Sequence, residues 1–375
     1  MEEMYYYWLH NVPGIGRITM QKIFQNMTPK ELYENDFETK ENNIIEKLLT
    51  KTQKNNLKIS KHNWDILGEW EILRKRNTTA LGLRLSNYPS KLACIPDPPP
   101  ILYCKGNEEL LHRPCVAVIG ARACSNYGRL MAQELGRQLA HMGIVVVSGM
   151  ARGVDSICQI SCLEYGGESV AVLGSGVEVC YPPEHGELFF ELQTKGALVS
   201  ENLPFTKPSP GLFPLRNRII SGLADVIVVV EAREKSGTLI TVDMALEQGK
   251  DVYAIPGRIT DTVSKGCNKL IKQGAGVILS VEEFIEEICP MLQIKYQGQS
   301  DIGPAKLLVH ENEILDIVGV SYKSLEDIYR YLKAGKEELS INQLMEWLLE
   351  LQLKQLLKEE NGYYYRNKLA VAGKD

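Results

Sequence analysis

Four short apolar runs recur between residues 116 and 276, each followed by a glycine-rich turn and a stretch of helical spacing. They are VAVIG (116–120), VVVSG (145–149), VAVLG (170–174) and VIVVVE (226–231). Their length and β-branched content predict strands buried on both faces. Strands alternating with helices predict an α/β fold with a mostly parallel sheet. Each run ends where a loop leaves the carboxyl edge of such a sheet, the edge at which open α/β sheets bind ligands. Glycine-rich turns that feed helix N-termini suit anions.

The pattern changes on either side of this core. Residues 1–75 read as helical, and VPGIGRITMQKIF (12–24) places Gly14 and Gly16 in a turn between two helices. That turn either offers backbone N–H groups to a phosphate, as in a helix-hairpin-helix element, or is a tight αα connection. Residues 76–115 read as a connecting segment or edge strand, with Pro98–Pro100 forcing extended backbone. The core domain therefore spans 76–290. An acidic, polar linker is expected over 291–307. Residues 308–375 follow as three helices and a short β-like tail, EENGYYYR, the pattern of a winged-helix domain.

Composition is that of a soluble globular chain: 375 residues, 44% hydrophobic and 24% charged, enough for two or three domains. No apolar run is long enough to span a bilayer and no signal peptide is evident, so no membrane association and a cytoplasmic location are expected. Nine cysteines at scattered spacings predict reduced thiols rather than a disulfide frame or a metal site. The net charge is −5, and residues 277–375 carry eleven Lys and Arg against seventeen Asp and Glu. The acidic winged-helix segment is thus expected to contact protein or serve a structural role rather than read DNA.

The turns exclude several chemistries. The first reads G-A-R-A-C-S, without the G-x-G-x-x-G of a dinucleotide site, and no G-x-x-x-x-G-K-[ST] or G-x-S-x-G occurs. No metal-ligand spacing and no catalytic set stands out, so neither cofactor nor metal is expected, and no enzymatic activity. Arg122, Arg152, Arg216 and Arg218 lie in or beside turns. Arginine grips phosphate at two points and adjacent N–H groups complete a cradle. Several such turns along one sheet edge would hold successive phosphates of a strand, and Phe213 would stack on a base.

The segments SGMARGVD (148–155), VLGSGVEVCYPPE (172–184), SENLP (200–204), FPLRNRIISGLAD (213–225), EAREKSGTLIT (231–241), AIPG (254–257) and GCNKLIKQGA (266–275) resemble the DNA-processing protein A (Smf) family in order and spacing. The likeness covers roughly residues 110–280. The N-terminal bundle resembles that family's sterile-alpha-motif-like or helix-hairpin-helix domain, and the C-terminal unit its winged-helix domain. The resemblance implies an extended Rossmann-like core that binds single-stranded DNA, a homodimer, and loading of the RecA recombinase during natural transformation or recombination. The DNA-contacting residues it implies are Gly120, Arg122, Gly149, Arg152, Arg216, Asn217, Arg218, Ser236, Gly237 and Thr238; Gly174 of the third turn and the stacking Phe213 complete the candidate DNA-binding set. The chain departs from the family pattern at Gln159, where histidine is expected. It departs also at His185 and Gly186, where asparagine and a polar or basic residue are usual, and near Lys354–Gln355, where a glycine is expected.

One rival class remains, a nucleotide phosphoribohydrolase of the lysine-decarboxylase-like Rossmann group. That group has a Gly-Gly-x-Gly-Thr turn after a strand. The comparable turn here, KSGTLI (235–240), lacks the double glycine, with Thr241 and Asp243 where a glutamate would be sought.

Overall fold

The computed structural model describes residues 2–34, 47–294, 309–318, 323–333, 339–353, 356–360 and 362–366. The chain forms two compact units, Met1–Tyr296 and Gln297–Asp375.

In the first unit, β3 (Cys115–Ile119), β4 (Val145–Ser148), β5 (Ser169–Val172) and β6 (Ala197–Ser200) run outward in one direction from the centre of a nine-stranded sheet. The chain then returns to the far side of β3 for β7 (Val226–Val229), β8 (Asp251–Ala254) and β9 (Gly276–Val277). All of these neighbours pair in parallel. The reversal falls between β3 and β7, the switch point at which doubly wound sheets open a crevice. The segment expected as a connection supplies the short helix α6 (Ser90–Ala93) and two more strands, β1 (Thr78–Gly82) and β2 (Ile101–Gly106), which extend the sheet antiparallel beyond β6.

Side-chain alternation divides the sheet into two faces. On one face Ala117, Val147, Val172 and Val229 pack with α10 (Leu212–Leu223), α11 (Gly237–Glu247) and α12 (Lys265–Lys272) through Ile219, Leu223, Val242 and Leu270. On the other, Val118, Val146 and Val228 meet α7 (Asn126–His141), α8 (Val154–Glu164) and α13 (Val281–Met291) through Leu135, Cys158 and Phe284. Continuous apolar runs at β3, β4, β5 and β7 follow directly from this two-sided cover.

The second face continues over β5, β6, β2 and β1, and there α9 (Gly186–Lys195) and the N-terminal helices cover it. The latter are α1 (Glu3–Asn11), α2 (Arg17–Phe24), α3 (Pro29–Glu34), α4 (Lys51–Asn63) and α5 (Ile66–Lys75). Trp8, Leu9, Ile23 and Leu57 share one core with Ala80, Ile101, Tyr103, Ala171 and Leu198 of the sheet. Residues 1–75 therefore belong to the first compact unit, because they share one core with the sheet and the loops and helices beside it. Removal of residues 2–75 is expected to expose that face. The shortened chain should lose cooperative thermal unfolding and bind a hydrophobic dye, whereas a full-length-like melt would show an independent bundle.

The turn at Gly14 and Gly16 is fastened to α4. Gln53 Nε2 donates to Gly14 O at 2.8 Å and Asn56 Nδ2 to Pro13 O at 2.9 Å. Thr50 and Gln53 also close a capping box that starts α4.

The second unit contains α14 (Val309–Val318), β10 (Lys323–Ser324), α15 (Leu325–Lys333), α16 (Ile341–Leu353), β11 (Leu357–Glu360) and β12 (Tyr363–Arg366). Its strands form an antiparallel sheet in the order β10-β12-β11. Three helices with this sheet are the winged-helix arrangement. The expected linker lies mostly outside the described residues, as do Lys354 and Gln355.

Candidate functional site

The loops after β3, β4 and β5 and the start of α10 enclose a cleft at the carboxyl edge. Its lining includes Arg122, Gly149, Arg152, Gly174, Phe213 and Arg216, all candidates from the sequence. The free space, open to solvent, is about 440 Å³.

Arg216 forms the floor. Its Nη1 donates to Gly149 O at 2.9 Å and to Val172 O, and the residue is only 6% exposed. Burial draws its guanidinium down to about 10; Asp155 opposes that drop and the positive charge of Arg122 adds to it. Asp155 is itself buried and accepts from Gly149 N at 3.1 Å. Burial raises its carboxyl, with Arg216 and the backbone amides of Gly149 and Ala151 pulling the other way. Gly149 leaves room for this side chain: a Cβ there would lie 2.6 Å from the Arg216 guanidinium, which would have to shift. A Cβ at Gly174 would likewise meet the Phe213 ring at 2.8 Å.

The mouth combines charge and aromatic surface. The Arg122 guanidinium stands 5.9 Å from the Phe213 ring centroid, and Phe213 lies 5.3 Å from Tyr181 at a tilt of 35°. Arg122 is exposed and makes no hydrogen bond or ion pair among the described residues. Arg152, on the opposite loop, is exposed and ion-paired with Glu184.

The loop between Arg216 and Arg152 is held from two sides. Met150 adopts φ 52°, a left-handed conformation uncommon outside glycine. Its N–H donates to Gln159 Oε1 at 3.1 Å, and its carbonyl lies 3.0 Å from His185 Nδ1. Buried Gln159 also donates from Nε2 to Ser169 Oγ at 3.0 Å and Val170 O at 3.3 Å. In the sequence, Gln159 and His185 stand out only as departures, and Tyr181 and Asp155 only as letters within quoted motifs.

Other candidates lie beside the cleft or away from it. Thr238 Oγ1 donates to Gly120 O at 3.2 Å, which sets the N-terminus of α11 next to the Arg122 loop across the switch point. Ser236 stands at the N-terminus of that helix without a side-chain hydrogen bond, and its buried Oγ has no hydrogen-bond partner among the described residues. Gly237 faces open space. Asn217 accepts from Arg216 Nε at 3.3 Å and is absent from the lining.

Two expectations are corrected. Phe213, Arg216, Asn217 and Arg218 belong to helix α10 rather than to a turn. Two residues apart on a helix means about 200° of rotation, so Arg216 and Arg218 point to opposite sides. Arg218 leaves the cleft and pairs with Glu201 at 2.6 Å and Asp97 at 3.1 Å, its side chain 7% exposed. It is a buried structural cation.

Asp97 also pairs with Arg17 and accepts from Gln21 at 2.8 Å. Burial would raise its carboxyl, but the Gln21 hydrogen bond and the Arg218 and Arg17 charges outweigh that and lower it. A depressed folded value means stability that is complete above the ordinary aspartate pKa of about 4 and lost as pH falls through the folded value. Asp97→Asn is therefore expected to lower the unfolding free energy more at pH 7 than at pH 3. Equal losses at both pH values would assign Asp97 no ionic role.

All nine cysteines are free.

A doubly wound sheet with a desolvated arginine and a ring pair at its carboxyl edge places the chain among Rossmann-like α/β proteins, with a cationic cleft at the usual ligand-binding edge. More narrowly, the chain belongs to the DNA recombination-mediator protein A family, whose sequence model matches residues 80–289. It is 41% identical over 200 residues to the DNA processing protein DprA of Streptococcus pneumoniae, covering 53% of this chain and 71% of that protein. It is 37% identical over 224 residues to DprA of Bacillus subtilis, covering 60% and 75%. The X-ray structure of S. pneumoniae DprA matches with TM-score 0.64 and 32% identity over 76% of this chain and 97% of that one. A Helicobacter pylori DprA structure, described for its single-stranded DNA binding mode, matches with TM-score 0.52 and 31% identity over 56% and 99%.

Proposed function

We propose that this protein binds single-stranded DNA along the carboxyl edge of the sheet and delivers it to the RecA recombinase during recombination and natural transformation. It does so as a non-enzymatic cytoplasmic homodimer. The observation that carries the DNA reading is the desolvated Arg216 guanidinium beneath Arg122 and the Phe213–Tyr181 pair. Two cations held close together in a cleft gain from a phosphate between them. The rings beside them offer a stacking surface that every base satisfies. The uncapped N-terminus of α11, bonded to the Arg122 loop, offers the next phosphate backbone N–H groups. The RecA, dimer and cytoplasmic parts rest on family membership. Among the described residues no helix is long and apolar enough to cross a membrane.

Salt titration of binding to single- and double-stranded oligonucleotides tests this. Single strands of unrelated sequence should bind alike, with log affinity falling by about 0.7 per phosphate contact for each tenfold rise in salt. Tighter binding of the duplex would overturn the reading. Release of free base from AMP or CMP would instead establish the phosphoribohydrolase reading. A pull-down of RecA from the same organism, with and without single-stranded DNA, tests delivery.

A further inference from the structure

In winged-helix proteins that read DNA, the third helix enters the major groove and Lys and Arg around it meet phosphates. Helix α16 holds that position here, and its sequence, INQLMEWLLELQL, contains no Lys or Arg. One face builds the unit's core: Leu344, Leu348 and Leu351 are buried with Ile314, Leu315, Val318 and Ile328. The flank of the helix beside that core face is also apolar, while Asn342 and Glu346 point directly away from the core. Ile341, Met345 and Leu349, four residues apart, are 50%, 51% and 56% exposed. That spacing aligns them in one stripe over two helical turns, about 12 Å long. Asn342, Glu346 and Glu350 are exposed along the edge of the stripe.

Such a surface suits neither phosphate nor water. The carboxylates repel a polyanion, and three aligned apolar side chains carry an exposure cost that a covering partner removes. We propose that this exposed flank of α16 docks a cationic amphipathic helix of a partner protein, with apolar side chains seated on Ile341, Met345 and Leu349. Lysines or arginines bordering the partner's apolar face then meet Glu346 and Glu350. Charge complementarity selects this occupant over a second copy of the chain, whose own α16 would bring acid against acid. The recognition helix thus serves as a protein-docking helix.

The test uses the full chain and two synthetic 18-residue peptides of leucine and lysine. In one, leucines recur at helical spacing; in the other, the same residues are scrambled. Fluorescence anisotropy should show the amphipathic peptide binding at least about tenfold more tightly than the scrambled one. The variant Met345→Glu/Leu349→Glu should lose that preference although it is more acidic, while Glu346→Gln/Glu350→Gln should weaken binding and flatten its salt dependence. Both sets of side chains are exposed, so the melting temperature should be unchanged, and a normal melt is the control for each variant. Equal binding of the two peptides, or full binding by Met345→Glu/Leu349→Glu, overturns the proposal. So does a loss of duplex DNA affinity in that variant, which would make α16 a nucleic-acid reader. A self-association of the wild type that the variant abolishes, seen by sedimentation, would assign the face to a second copy and overturn it as well.

Discussion

Arg122→Ala should weaken binding of single-stranded DNA by roughly tenfold, and Arg122→Ala with Arg216→Met by roughly a hundredfold or more. Each charged hydrogen bond to phosphate is worth about 1.5–3 kcal/mol. The salt slope is the sharper readout: losing two phosphate contacts should reduce it by about 1.4. The two arginines differ as probes. Arg216 holds Gly149 O and Val172 O, so its replacement disturbs the loops it supports. Arg122 makes no hydrogen bond or ion pair among the described residues, so its replacement leaves the fold intact. A weakened Arg122→Ala variant with a normal melting temperature therefore reports ligand contact alone. Unchanged affinity and slope in both variants would move the DNA site away from this cleft.

Glu201→Ala should have the opposite profile. It strips Arg218 of its bidentate carboxylate while the guanidinium stays buried. Removing one partner of a buried pair costs about 3–5 kcal/mol, because the remaining charge is left uncompensated. Here Asp97 still contacts Arg218, so the lower end of that range applies, about 3 kcal/mol. For a unit of this size the melting temperature should fall by roughly 6–12 °C. Single-stranded DNA affinity, measured below the melt, should not change. If affinity fell with stability preserved, Arg218 would belong to the binding surface after all. The pair of results separates two arginines that stand two residues apart in one motif.

That motif shows where the sequence stopped being legible. The strands were readable because two-sided burial leaves unbroken β-branched runs, and β3, β4, β5 and β7 lie within one residue or two of them. Helix α10 was not readable, because four prolines between residues 204 and 214 gave that stretch the look of a loop. Pro214 is the third residue of α10, within the first turn, where a missing N–H breaks no helical bond. Without the helix, the 200° between Arg216 and Arg218 could not be seen. Burial was equally hidden, since arginine is seldom buried unless paired. The cover of β1, β2 and β6 by N-terminal helices is a long-range contact that no local pattern encodes. The glycines at 149 and 174 were legible as loop positions, but not the guanidinium and ring that a Cβ there would displace.

The glutamine at position 159 has a consequence for acid tolerance. At one moment its amide receives the Met150 N–H and gives protons to Ser169 and Val170. A neutral imidazole could copy that exchange, taking at one nitrogen and giving at the other. Once protonated it could only give, and it would turn a donor toward the Met150 N–H. An amide has no such second state. The floor of the cleft is thus shielded, at this position, from the proton concentration of the cell. Gln159→His should introduce a dependence of DNA affinity on pH near 6 that the native chain does not take from this residue.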